Sequence, residues 1–345
     1  MGSLWRRKSQ KKKDKAIFLR NGTVLLEKLI TSCDGKRNPI RSFSLEELKI
    51  ATNNFGRDQF ITYTYFHEYK LYKGFLQNRP VSIMYWCRND LSLWEEDSCY
   101  NNIVFPIQMS HKNVLKLIGC CLDTEVPALV FESAENGNLD VRIHGRDGHH
   151  FEPLLLVHRF KIAMEIANAV AYLHIGFRRP IVFRDIRPSN ILFDEENVAK
   201  LFDFSLAESI PEGQTHIKNS PVAGTCGYLA PEFLITSDYN EKCDVFSFGM
   251  LLLQLLSGER ITRVRLIAQG DGCRLMDCVK KHVECDTLHE IIDPIIVQDS
   301  SYYEKKEQLL PFVLLIFECV NESPEERPTM MSVAKRLRQL YLSVA

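Results

Sequence analysis

Thiolate and imidazole are the side chains most often found on zinc, and this 345-residue chain has 11 cysteines and 10 histidines. Their densest grouping is Cys273, Cys278, His282, Cys285 and His289. The gaps do not complete a compact zinc pattern, so these residues read as packing or loop positions. The cysteines are odd in number and scattered, and Cys120 and Cys121 fall inside an apolar stretch. Reduced thiols are expected rather than a disulfide framework. A second chemical signal is charge. Residues 1–15 hold seven bases (Arg6, Arg7, Lys8, Lys11, Lys12, Lys13 and Lys15) against Asp14 alone. Such a run reads first as a solvated, flexible extension, and more sharply as contact with an acidic lipid surface. Gly2 after Met1 invites myristoylation, but Arg6 stands where that pattern wants serine or threonine.

The whole chain balances at a net charge of −1, so no global field draws it to nucleic acid. Hydrophobics at 45% and charged residues at 25% are ordinary for a folded protein. A length of 345 allows about two domains. The longest apolar run, Leu309 to Phe317, is nine residues and contains Pro311, too short to span a bilayer. The basic N-terminus lacks the apolar segment of a secretory signal.

The elements follow from hydrophobic period. Ser44 with Glu47 forms a capping box opening a short helix within Phe43–Phe55. Residues 60–86 alternate as strands broken by a turn at Asn78–Pro80, and further strands fall at Val114–Cys121 and Ala128–Glu132. From Leu154 to His174 the period lengthens to about 3.6, giving a helix. Short strands are expected at 181–183, 191–193 and 199–202, and helices at 240–257, 309–318 and 330–342. An α+β, bilobal organisation follows: a basic extension over 1–42, a β-rich first lobe over 43–132 and a mainly helical second lobe over 133–345.

Several segments carry a more specific signal through their order: Phe183-Arg184-Asp185 with Asn190, Asp203-Phe204-Ser205, Ala230-Pro231-Glu232, Asp244 to Gly249, and Glu326-Arg327-Pro328. Together they resemble a eukaryotic protein kinase over about residues 55–340. Through ATNNF, YKG, GTCGYLAPEF and SPEERPTM the chain is most similar to plant receptor-like kinases of the wall-associated type. Without an ectodomain or membrane span, it looks like a receptor-like cytoplasmic kinase, which implies a cytoplasmic protein, peripheral to the plasma membrane if its basic tail engages lipid. The resemblance implies Asp185 as catalytic base and Asn190 and Asp203 as metal ligands, with Arg187 where lysine is usual. It implies structural roles for Glu232 paired with Arg327, and for Asp244 beneath the catalytic loop. Leu71, Phe131 and Glu132 match the adenine pocket. The activation segment would run from Ser205 to Thr225 with Thr215, Ser220 and Thr225 as its hydroxyls, and Arg184 as its phosphate receptor.

The same alignment shows what is missing. Phosphoryl transfer depends on positioning and charge neutralisation. No glycine occurs in Ile61–Leu71, where a phosphate-covering loop belongs, and Tyr65, Phe66, His67, Glu68 and Tyr69 supply bulk and one negative charge instead. Met84 stands at the strand lysine and Asn102 at its partner glutamate. Lys70 should point away from the site, and Lys73 lies about 7 Å further along the strand. Ser205 replaces the glycine of Asp-Phe-Gly. Losing one preorganised donor costs about 10²–10³ in rate. As a coupled unit these losses leave roughly 10⁻⁶–10⁻² s⁻¹ of a typical kinase turnover. The expectation is a pseudokinase that requires no cofactor and binds ATP and magnesium weakly at best. The resemblance extends to plant immune adaptors that sit on the leucine-rich repeats of an NLR receptor and recruit an effector-modified receptor-like cytoplasmic kinase. The alternatives are a low-activity serine/threonine kinase and an ATP-binding switch without transfer.

Overall fold

The computed structural model describes residues 2–32, 38–63, 69–86, 93–145, 152–261, 275–285 and 287–345. The chain divides into two compact units, 1–137 with 192–205, and 138–191 with 206–345.

In the first unit, helix α1 (Gly2–Ser32) leads to strand β1 (Arg41–Ser42) and helix α2 (Leu45–Ala51). Strands β2 (Phe60–Tyr63), β3 (Tyr69–Leu76) and β4 (Arg79–Trp86) precede helix α3 (Leu93–Val104). Strands β5 (Leu117–Cys121) and β6 (Ala128–Glu132) complete a six-stranded sheet in the order β1-β5-β6-β4-β3-β2. Only β1 and β5 run parallel among its pairings; the others are antiparallel. The capping box forms as the sequence indicates. Ser44 Oγ accepts from the Glu47 N–H at 3.3 Å, and Glu47 Oε2 accepts from the Ser44 N–H at 2.8 Å. That interaction lowers the Glu47 carboxyl below its ordinary value.

Residues 2–32, within the expected basic extension, form α1. Its docking depends on residues beyond the basic run. Asn21 is wholly buried. Its Nδ2 donates to the carbonyls of Leu122 at 3.0 Å and Thr124 at 2.9 Å, while Tyr100 donates its hydroxyl to Asn21 Oδ1. Leu25 enters the core beside these bonds, and Arg20 and Lys13 pair with Glu125. A buried side-chain amide is stable only when fully bonded, and the 122–125 turn supplies its partners.

The second unit is built on helix α5 (Leu156–Ile175), which buries Phe160, Ala163, Ile166, Ala167, Val170 and Leu173. Preceding it is α4 (Leu139–His144), capped by Asn138. Strand β7 (Ile181–Val182) comes next; β8 (Ile191–Phe193) and β9 (Ala199–Leu201) form a ribbon, most of which returns to the first unit. Strand β10 (Glu208–Ser209) pairs back onto β7. Helices α6 (Pro231–Thr236), α7 (Lys242–Ser257), α8 (Leu275–Glu284), α9 (Leu309–Cys319) and α10 (Met330–Val344) follow, with shorter turns between α8 and α9. α10 packs along α5, and α9 along α7. Among the described residues, no helix is long and apolar enough to cross a membrane.

Candidate functional site

The candidate site residues fall in both units, and each set has its own geometry. In the first unit the key strand pair is β3–β4, where Leu71 lies opposite Met84, which in turn lies opposite Leu129 on β6. Strand alternation turns these side chains to one face. Leu71, Met84 and Phe131 are sealed in a single apolar core with Leu129, Leu192 and Phe202. The Phe131 and Phe202 rings meet edge-on at 5.3 Å. Met84 therefore fills the place of the strand lysine as core packing. Lys70 is exposed, and Lys73 pairs with Glu135 at 3.5 Å. Beside the core, Ser82 Oγ accepts from the Ala134 N–H at 3.0 Å. Glu132 takes a proton donor from Lys200 Nζ at 2.9 Å and from the Lys116 N–H at 3.2 Å.

Asp203 lies just beyond β9 with a positive φ of 68°, a conformation that aspartate tolerates better than most side chains. Three donors hold its carboxylate. Asn102 Nδ2 reaches Oδ1 at 3.1 Å, the Ser205 N–H reaches Oδ1 at 3.2 Å, and the Tyr69 hydroxyl reaches Oδ2 at 2.9 Å. Asn102 also accepts from the Phe204 N–H at 2.7 Å. A glutamate in its place could not donate to Asp203. Asn102 thus clamps the Asp-Phe-Ser turn from both sides of its amide. The space among Tyr69, Trp86, Cys99, Asn102 and Asp203 is about 10 Å³, room for one water at most. A magnesium ion on Asp203 would compete with these donors for the acceptor sites of the carboxylate.

The second unit keeps its catalytic-loop geometry. Asp185 Oδ2 accepts from Arg187 Nε at 2.9 Å and from Asn190 Nδ2 at 2.8 Å, and Oδ1 accepts from the Thr225 hydroxyl at 2.6 Å. Asn190 also donates to the Asp185 carbonyl at 3.0 Å. Asp244, wholly buried, accepts from the N–H groups of Phe183 and Arg184, both at 2.8 Å, and contacts His174 Nε2 at 2.9 Å. Arg184 pairs with Glu208 and lies 4.5 Å above the Tyr239 ring. Thr225 is thus tied to Asp185, Ser220 is half-buried and bonded through its backbone to Ser237, and Thr215 is exposed beside His216. Glu232 and Arg327 form a two-pronged pair at 2.6 and 2.8 Å. Burial opposes the Glu232 charge, but the hydrogen bonds and charge of Arg327 outweigh it and hold the carboxyl below 4.5.

Tyr65, Phe66, His67 and Glu68 lie outside the described residues, as does Cys273 with the side chain of Cys278. His282 bonds Thr287, and among the described residues no three metal-ligating side chains converge. Burial pushes the Cys120 thiol up to about 11 and the Cys121 thiol to about 12, so both are poor nucleophiles. Sequence reasoning saw Tyr69 only as bulk and did not single out Ser82 or Asn21. Their partners are far away in the chain, and spacing carries no trace of such pairings.

A sheet-bearing unit, a helical unit, an ordered Asp185–Asn190 loop and the Glu232–Arg327 pair define a protein-kinase domain, and a profile described as "Protein kinase domain" matches residues 81–337. The chain belongs to the protein kinase family. It is 37% identical to the Arabidopsis thaliana serine/threonine-protein kinase ZRK1, over 97% of this chain and 96% of that one. It is 40% identical to the non-functional pseudokinase ZED1 of the same plant, over 95% and 97%. Wall-associated receptor kinase-like 1, also from Arabidopsis thaliana, is 36% identical over 99% of this chain but only 46% of its own length. The relatives thus include both a named kinase and a named pseudokinase.

Proposed function

We propose that this chain is a catalytically impaired, kinase-like adaptor in plant innate immunity. It would bridge the leucine-rich repeats of an NLR receptor and an effector-modified receptor-like cytoplasmic kinase. The observation that carries the impaired half of this reading is the Asp203 clamp. Met84 lies in the core, so that position offers no cation to a triphosphate, and the acid that would hold magnesium is engaged by Tyr69 and Asn102. Similarity along nearly the whole chain to a relative named a non-functional pseudokinase also supports the impaired half. ATP and magnesium are not required in this reading, and the site of action is the cytoplasm. The basic residues of α1 offer contact with the plasma membrane surface.

A second reading has its own support. Asp185, Arg187 and Asn190 keep a complete hydrogen-bonded loop, which favours a serine/threonine kinase of low activity over a scaffold with no chemistry. The adaptor reading is tested by immobilising the full chain and recovering proteins from plant cytosol for mass spectrometry. It expects an NLR receptor and a receptor-like cytoplasmic kinase in the same eluate. Absence of both contradicts it.

A further inference from the structure

At one end of the first unit's sheet, the linker carrying β1 crosses the β3–β4 turn and the start of β5. Between them lies a groove of about 560 Å³, within the roughly 300–1,000 Å³ of ordinary ligand sites. Its floor is apolar, formed by Ile40, Phe43, Val81 and Ile118. Its rim carries three cations: Arg41, Arg79 and Lys116. Arg41 hydrogen-bonds the neutral side chain of Gln77, and among the described residues no carboxylate pairs with any of the three. The acid in the lining, Glu132, is drawn to Lys200 at 2.9 Å, a lysine it shares with Asp194 at 3.3 Å. The Ser133 hydroxyl, also in the lining, is buried and has no hydrogen-bond partner among the described residues. At Lys116 the groove adjoins a more polar recess of about 270 Å³ beside His111 and Lys112.

We propose that this groove docks an acidic peptide segment of a partner protein, one that places an apolar side chain on the Phe43–Val81 floor and carboxylates against Arg79 and Lys116. Three cations with no carboxylate partner among the described residues, around an apolar trough, select against basic or purely apolar occupants, since charge complementarity sets specificity. The groove is formed within the first unit and uses none of Asp185, Asn190 or Asp203. It therefore stands whether or not the chain transfers phosphate and whichever receptor it meets.

The experiment is selection of a phage-displayed random 12-residue peptide library against the immobilised full chain. A parallel selection uses Arg79→Glu/Lys116→Glu, checked for an unchanged thermal melt. The expected result is enrichment of peptides combining Asp or Glu with Leu, Ile or Phe. Synthetic copies should bind the wild type at least tenfold more tightly than the variant, and lose affinity as salt rises. Amide exchange should slow at residues 39–43 and 116–118 on binding. No enrichment, enrichment of basic sequences, equal binding by the variant, or protection confined to other segments would each overturn the proposal. Should the double variant melt early, Lys116→Gln alone replaces it, with a smaller loss of at least threefold expected.

Discussion

The environments of Met84 and Asn102 show what a lysine at position 84 would require. A lysine at position 84 would be wholly buried among Leu71, Leu129, Phe131 and Phe202. Its usual partner would be the carboxylate that Asn102 lacks. An unpaired buried charge costs about 3–5 kcal/mol. Met84→Lys should therefore destabilise the chain by that order in urea denaturation, and adding Asn102→Glu should recover part of the loss. Equal stability of the single variant and the wild type would contradict the packing described here. Glu232 makes a separate prediction. Its folded carboxyl holds a proton less readily than the unfolded one, so the unfolded state binds more protons and stability rises with pH. The contribution of the Arg327 pair is fully present above the ordinary value of 4.5 and is lost as pH falls through the lower folded value. The stability difference between wild type and Glu232→Gln, measured by urea midpoints, should shrink between pH 6 and pH 3 (roughly, the carboxylate range). A difference that stays constant would argue against the pair.

At the scale of elements, β1 depends on a close approach that only glycine permits. A Cβ on Gly119 would overlap the Arg41 carbonyl and lie 2.6 Å from the Phe43 ring. Gly119→Ala should push β1 off β5 at a cost of about 1–3 kcal/mol. Exchange of the Phe43 N–H, which donates to the Cys120 carbonyl at 2.9 Å, should become fast while β4 and β6 keep their protection. Unaltered exchange at Phe43 would refute that. The elements themselves were largely legible. Ser44 and Glu47 announce α2, and the apolar period from Phe160 to Leu173 announces α5, because both signals are local. Asp185, Asn190, Asp244, Glu232 and Arg327 were legible through short motifs of fixed order. The clamp on Asp203 was not. Tyr69 and Asn102 meet it from β3 and α3, more than a hundred residues earlier in the chain, and a tyrosine or asparagine looks alike in sequence whether it clamps an acid or faces water. α1 was obscured for another reason. Its lysines suggest a solvated tail, while docking depends on Asn21 and Leu25 after them.

Over the whole molecule, conservation of hydrogen bonding is uneven. The second unit holds the Asp185 loop, the Asp244 anchor and the Glu232–Arg327 pair by side-chain hydrogen bonds. In the first unit Met84 is core, and Asp203 accepts from Tyr69, Asn102 and the Ser205 N–H. The proposed reading as a catalytically impaired adaptor rests on this difference between the two units. Phosphate incorporation from Mg-[γ-³²P]ATP into a generic basic protein substrate, by the purified full chain beside its Asp185→Ala variant, tests this most directly. Equal, background-level incorporation by the two is the predicted result. Incorporation well above background that disappears in Asp185→Ala would contradict the account.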